Sequence, residues 1–345
     1  MKNKAGIILA IIALIAVYFG YKCNSELKKP ITRFDAEERY VFNRDSGNAE
    51  TEIKEQIRKN ELLLDEDLFF KTADALNVWK NITPGRFAIK KGASVMDIVN
   101  TLRKNRQSNM VNFTIKKLQT KEGLASIIGR RFLTDSATAH QFLINADSLQ
   151  PLGVDTNTLF TIITPDTFII HYKKSTREIL EHFKAKTDSF WMANDWLRKA
   201  EAAGLDQKQL YILASIVEEE TNKDDEKGLV ASVYLNRLRR GMKLGADPTV
   251  KFALRDFDRR RILNEDLKVA SPYNTYYASG LPPGPICTPS KATIDAVLPI
   301  PASNYLFFVA KENFSGYHTF TTNYADHLAH ARKYREALNQ RNIQR

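Results

Sequence analysis

The start of the chain limits its fold more than any other segment. Lys2 and Lys4 precede an uncharged run at 5–21, AGIILAIIALIAVYFGY. As a helix rising about 1.5 Å per residue it would span on the order of 26 Å, slightly less than a bilayer core. Tyr18 and Tyr21 would sit at the far interface, followed by Lys22. The run outlasts the usual apolar stretch of a signal peptide, and Phe19-Gly20-Tyr21-Lys22 before Cys23 makes a poor lipobox. An uncleaved single-pass anchor is therefore favoured over a cleaved signal. The lysines then mark 1–4 as a cytoplasmic tail and put everything after 21 on the outer side.

The remainder is ordinary globular sequence. Of 345 residues, 43% are hydrophobic and 10% aromatic, which excludes wholesale disorder and a polytopic membrane protein. Two cysteines, Cys23 and Cys287, are too few for a disulfide framework or a cysteine zinc cluster, and both are read as free thiols. A net charge of +11 favours a polyanionic partner: nucleic acid, lipid headgroups or an acidic envelope polymer. Placement outside the membrane makes nucleic acid the least fitting of these.

Patterning predicts an α+β chain: an N-terminal transmembrane helix, a small α+β module and a C-terminal α+β domain. Residues 22–65 read as a tether and a first helical segment, with Ile53 and Ile57 on its apolar stripe. Residues 66–115 form the module: a turn at 83–85, a strand at 86–90, a turn at Lys91-Gly92, a helix at 95–103 capped by Ser94, and a strand at 111–115. Residues 116–205 are a linking region, helical at 122–146, β-rich at 159–172 and helical at 175–203. The domain at 206–345 opens with a helix capped by Asp206 and running through Glu220. A second helix covers 225–240, and Asp247-Pro248 reads as N-cap and first residue of a third. A Pro/Gly/Tyr loop spans 271–289. A short helix at 292–297, strands at 305–309 and 317–321, and a helix at 324–338 complete the pattern.

The chemistry-bearing residues lie in this last part. On a helical wheel centred on Leu213, Ile216 falls at about −60°, Val217 at about +40° and Glu220 at about −20°, inside the apolar stripe. Glu218 and Glu219 point elsewhere. A carboxyl desolvated among Leu213, Ile216 and Val217 should hold its proton towards neutral pH, as a general acid must. The plainer alternative is a helix-ending Glu paired with a Lys or Arg. Asp247 can equally be a helix cap, and Asn236 a hydrogen-bonder at the edge of its helix's stripe. Tyr273, Tyr276 and Tyr277 with Asn274 suit sugar recognition through ring stacking and an amide, or simple packing. His318, His327 and His330 lack the companions of a metal site, and no phosphate loop, G-x-S-x-G or dinucleotide fingerprint occurs.

Several longer stretches carry a resemblance. LASIVEEET (213–221), VASVYLNRLRRGMKLGADPTV (230–250), SPYNTYYASGLPPGPICTPS (271–290), YLFFVA (305–310) and HTFTTNYADH (318–327) resemble, in order, the MltG/YceG-like family of membrane-anchored endolytic murein transglycosylases. Pro165-Asp166-Thr167-Phe168 resembles an upstream element of that family, and the region around 85–103 its LysM-like module. One departure is Lys116-Lys117-Leu118, where relatives carry an E-G pair; it leaves that loop's role open. The resemblance implies that Glu220, directly before Thr221, is the catalytic acid and then base, with Glu218 as runner-up. It implies cleavage between N-acetylmuramic acid and N-acetylglucosamine of peptidoglycan with 1,6-anhydro ends, at the outer face of a bacterial cytoplasmic (inner) membrane, beside penicillin-binding proteins. Asn236, Asp247, Tyr273 and Asn274 are the residues expected to position sugar and orient Glu220. No metal or organic cofactor is expected. A non-catalytic peptidoglycan-binding scaffold and a hydrolytic muramidase of lysozyme type are the alternatives.

Overall fold

The computed structural model describes residues 25–44, 47–105, 109–193, 195–259, 262–298 and 300–340. The expected membrane helix at 5–21, and Cys23, lie outside them. Among the described residues no helix is long and apolar enough to cross a membrane. Helices and short two-stranded antiparallel sheets alternate along the chain, an α+β architecture. Contacts divide it into two units. The first holds the described residues up to Val111, with Arg130–Leu133 and His171–Lys174; the second holds the rest.

In the first unit, β1 (Glu38–Asn43) pairs antiparallel with β2 (Gly85–Lys90), Val41 facing Phe87 in register. Against this ribbon pack α1 (Ala49–Lys59), α2 (Glu66–Ala75) and α3 (Val95–Arg103). Val41, Ile53, Ile57, Phe69, Phe87, Ile98 and Leu102 share one core. Two helices start as their sequences dictate. Asp65 accepts the Leu68 N–H, and Ser94 with Asp97 closes a reciprocal capping box. Arg86 is buried, its guanidinium 3.4 Å from the centroid of the Tyr40 ring and one N–H donated to the Met110 carbonyl.

This pairing reaches outside the module expected at 66–115. The strand at 86–90 pairs with Glu38–Asn43, inside the segment expected to be a tether, and the strand at 110–115 pairs elsewhere. The reason is sequence distance. ERYVFN reads as unremarkable charged sequence, and only pairing with a strand far along the chain makes it β.

Mostly within the second unit, β3 (Met110–Ile115) pairs with β4 (Asp166–His171). The helical stretch expected at 122–146 is split into α4 (Lys121–Arg131), α5 (Ser136–Ile144) and the one-turn α6 (Ala146–Leu149). The β-rich stretch at 159–172 opens with a 3₁₀ turn, Leu159–Ile162, before β4 begins. α7 (Thr176–Ala193) and α8 (Trp196–Ala203) lead to the central helix, α9 (Gln207–Glu220).

α9 opens on a capping box between Asp206 and Gln209, and every residue from Leu210 to Val217 is buried. A helix apolar on all sides belongs inside a domain. α10 (Asp224–Arg239), α11 (Asp247–Leu254) and α12 (Lys291–Val297) pack around it. Two bonds pin the Pro/Gly loop to α9: Ile286 N–H donates to Ser215 Oγ, and Cys287, a buried free thiol, contacts the Ser215 carbonyl. The hairpin of β5 (Phe307–Ala310) and β6 (His318–Thr321) is covered by α13 (Tyr324–Gln340).

Candidate active site

The C-terminal turn of α9 ends in three successive acids, and the fold gives each a different environment. Glu218 accepts from the hydroxyls of Ser290, at 3.1 Å, and Thr293, with the Lys227 ammonium 3.9 Å away. Glu219 pairs with Lys117 at 2.8 Å. Glu220 has neither arrangement. Its Oε1 accepts from the Tyr234 hydroxyl at 2.5 Å, and no ion pair reaches it among the described residues. Burial pushes this carboxyl up to about 7. The Asp247 charge raises it further, while the Tyr234 bond and the more distant Arg237 and Lys251 pull the other way. The residue nonetheless keeps some solvent access. A carboxyl that is protonated near neutrality yet reachable can give a proton and take one back.

The surrounding groups come from α10, α11 and the loop after it. Tyr234 and Arg237 stand one turn apart on α10, on the side facing Glu220. The Arg237 guanidinium is fixed by two carbonyls, Leu306 at 2.6 Å and Leu244 at 2.5 Å, so it bears on Glu220 through space only. Tyr276 donates its hydroxyl to Asp247 Oδ1 at 2.7 Å. Gly245, at φ +57°, lets the chain pass this group; a Cβ there would lie 3.3 Å from Arg237 Nη1 and 3.5 Å from the Tyr276 ring.

The residues expected at the site divide. Glu220 and Asp247 come together. Asp247 is not the cap of α11: it lies inside the helix, Ala246 holds the N-cap position, and no side chain caps it. Its exposed carboxylate is drawn to Tyr276 instead. Tyr273 stacks at 4.7 Å on Phe252 of α11, its hydroxyl 3.3 Å from Asn157. Asn274 is fully buried and turns inward, donating to the Leu267 and Val269 carbonyls and accepting from Tyr276 N–H. It shapes the loop that carries Tyr276. Asn236 points away from Tyr234 on α10 and donates to the Ser303 and Tyr305 carbonyls. Both amides have their N–H groups committed to backbone. Tyr277 is exposed.

Sequence reasoning did not single out Tyr234, Arg237 or Lys251, and gave Tyr276 no role of its own. The available signal was a Tyr and an Arg at i,i+3 beside the stripe of α10. The loop of the unusual Lys116-Lys117-Leu118 runs along the end of α9, where Lys117 holds Glu219 and Leu118 exchanges two hydrogen bonds with Thr288. The histidines go elsewhere: His318 Nδ1 lies 2.9 Å from Glu226, and His327 stacks on Phe307. Among the described residues no His/Cys/Asp/Glu group could hold a metal ion.

The model of the YceG-like family matches residues 43–333, most of the chain and all of this site. The chain belongs to the YceG-like family. Over 133 residues it is 38% identical to the endolytic murein transglycosylase of Bacillus subtilis (strain 168), covering 39% of this chain and 36% of that protein. Over 333 residues it is 24% identical to the endolytic murein transglycosylase of Streptococcus pneumoniae serotype 2 (strain D39), covering 88% of this chain and 60% of the relative. The chain thus spans between about a third and three-fifths of the length of these curated relatives. A crystal structure of a yceG-like protein from Listeria monocytogenes matches with a TM-score of 0.57 at 21% identity, covering 85% of this chain and 98% of that one. That likeness establishes the shared fold.

Proposed function

We propose that this protein cleaves the glycan strand of peptidoglycan between N-acetylmuramic acid and N-acetylglucosamine as an endolytic transglycosylase, with Glu220 as the single acid and base. The observation that carries the reading is the contrast among three neighbouring acids: Glu218 and Glu219 face ammonium groups, while Glu220 faces a phenol and is held near 7. The names of the curated relatives support the substrate. Glu220 protonates the glycosidic oxygen as the C1–O bond breaks. The carboxylate so formed takes the proton from the muramic C6 hydroxyl, whose oxygen closes onto C1. The proton count balances, no water is consumed, and the product ends in a 1,6-anhydro ring. Intramolecular attack gains from proximity. These proton transfers call for no metal or organic cofactor.

Asp247 and Tyr276 hold sugar hydroxyls at the rim in this reading, and Tyr273 offers a ring face to the strand. The family resemblance supports a membrane anchor at 5–21, an outer-face location at the bacterial cytoplasmic membrane, a LysM-like glycan-holding module in the first unit, a catalytic part over 206–345, and penicillin-binding proteins as partners.

One observation favours a second reading. Asp247 is a carboxylate close enough to act on Glu220, and two carboxylates are what a hydrolytic muramidase uses. Digestion of sacculi with the full chain, followed by mass spectrometry, separates the two. Anhydromuramoyl ends support the transglycosylase; reducing ends that incorporate labelled oxygen from water support the muramidase. Glu220→Gln is expected to release neither product. Anhydro ends from that variant would exclude Glu220 as the acid, and binding without any cleavage by the wild type would favour a scaffold.

A further inference from the structure

Beside the Glu220 site the second unit holds a cavity of about 300 Å³, near the lower end for small-ligand sites. Its lining is mixed: Phe252, Phe257, Tyr273, Leu159, Phe160 and Ile144 supply apolar surface, polar side chains supply the rest, and Ile144 is exposed. A smaller cavity of about 40 Å³ shares Gln119, Phe252 and Phe257 with it and reaches Glu219 and Lys251 at the end of α9. Lys251 is one of the groups whose charge acts on Glu220. The two cavities thus share walls, and the smaller is lined by Glu219, the residue before Glu220.

Its charged groups are unbalanced. Arg255, at the mouth, pairs with Glu122 at 2.9 Å, and His140 lies 3.6 Å from the same carboxylate. Lys121 has no hydrogen bond or ion pair among the described residues; burial pulls its ammonium below the usual lysine range, Glu122 and Asp155 oppose that through space, and the Arg255 charge adds to it. Asp155, the other nearby carboxylate, already accepts from the N–H groups of Asn157 and Thr158 and from the Thr158 hydroxyl. Of the two cations on the cavity wall, Arg255 thus has a paired carboxylate and Lys121 has none within ion-pair distance among the described residues. Gly284 keeps the wall thin: a Cβ there would fall 2.1 Å from the Asn157 carbonyl and 2.9 Å from the Tyr273 hydroxyl.

Resting on the proposed glycan-cleaving function, we infer that this cavity receives the acidic peptide stem of the strand whose glycosidic bond lies at Glu220, with the Lys121 ammonium taking a stem carboxylate. A stem alternates small aliphatic side chains with carboxylates, which matches a partly apolar lining with one cation outside any ion pair. A strand stripped of its stems keeps only acetyl and lactyl methyls and a lactyl carboxylate held at the sugar itself, and loses the aliphatic side chains and the carboxylates further along the stem. Stem recognition would make cleavage depend on whether the strand still carries its peptides.

The test compares initial rates of the full-length chain on strands bearing stems, on strands stripped of stems by an amidase, and on strands whose stem carboxylates are amidated. The wild type is expected to prefer intact stems about tenfold over both others, the worth of one charge-assisted contact. Lys121→Gln should bring that ratio close to one, and Lys121→Arg should restore it. The amidated strands test the same contact with no variant to fold. Equal wild-type rates on all three substrates, or an unchanged ratio in Lys121→Gln, would overturn the inference while leaving the proposed function standing. Cleavage of none of them by the wild type would overturn that function and the inference with it.

Discussion

Glu220 keeps its proton up to about 7 because the fold strips most water from a carboxylate that, among the described residues, one hydroxyl solvates in return. Protonation and folding are therefore linked. The folded carboxyl binds its proton more tightly than the unfolded one at 4.5, so the stability it contributes is complete below 4.5 and is lost as pH rises through 7. At about 1.36 kcal/mol for each pH unit in that interval, the ionised form costs the fold roughly 3 kcal/mol above neutrality. Glu220→Gln removes the charge, and should be more stable than the wild type by roughly 1–3 kcal/mol at pH 8, with the gap closing towards pH 4; urea midpoints at the two pH values measure it. The same site makes two opposite forecasts for activity. Cleavage by the wild type should fall as pH rises through 7. Asp247→Asn removes a like charge and should move that alkaline limb to lower pH. Tyr234→Phe removes the donor that favours the carboxylate and should move it higher. Limbs shifting the same way in both variants would contradict the assignment of Glu220 as the titrating group.

Helices with strong local signals form where their sequences place them. Asp206 with Gln209, and Ser94 with Asp97, each supply a side-chain acceptor for an orphan N–H and a partner that reaches back. Asp206→Ala should lower stability by about 1 kcal/mol, read from the urea midpoint, and leave kcat unchanged, because the lost cap lies at the opposite end of α9 from Glu220. Asp247 shows the limit of such reading. Asp-Pro looks like a cap, yet the Ala246 N–H is taken by the buried Thr275 hydroxyl, and the Asp247 carboxylate turns to Tyr276. The amides of Asn236 and Asn274 were equally open to either use in the sequence. In the structure, unpaired backbone carbonyls of neighbouring loops claim both. The strand Glu38–Asn43 escaped notice altogether, since its partner lies beyond two intervening helices.

For the whole molecule, under the proposed function, a net charge of +11 acts on how the protein meets an acidic polymer rather than on how it cuts it. Raising ionic strength from about 0.05 to about 0.5 M shortens the Debye length severalfold. KM for sacculi is expected to rise several-fold over that range, with kcat changing less than about twofold. Steady-state release of soluble fragments at the two salt concentrations checks it. A kcat that collapses instead would mean that the charges serve the chemical step.

Most helices of this protein, the caps at Ser94 and Asp206 and the apolar stripe of α9 on which Glu220 falls were legible along the chain, because each depends on residues within a few turns of one another. The contacts that shift its proton affinity were not: Tyr234 and Arg237, Asp247, and Tyr276 belong to three separate segments, and the Lys121 cavity draws on others again. A carboxyl's proton affinity depends on the water removed from it and on charges within a few ångströms, whatever their distance in sequence. Periodicity could aim the acid at the interior; only chain packing decides what waits for it there.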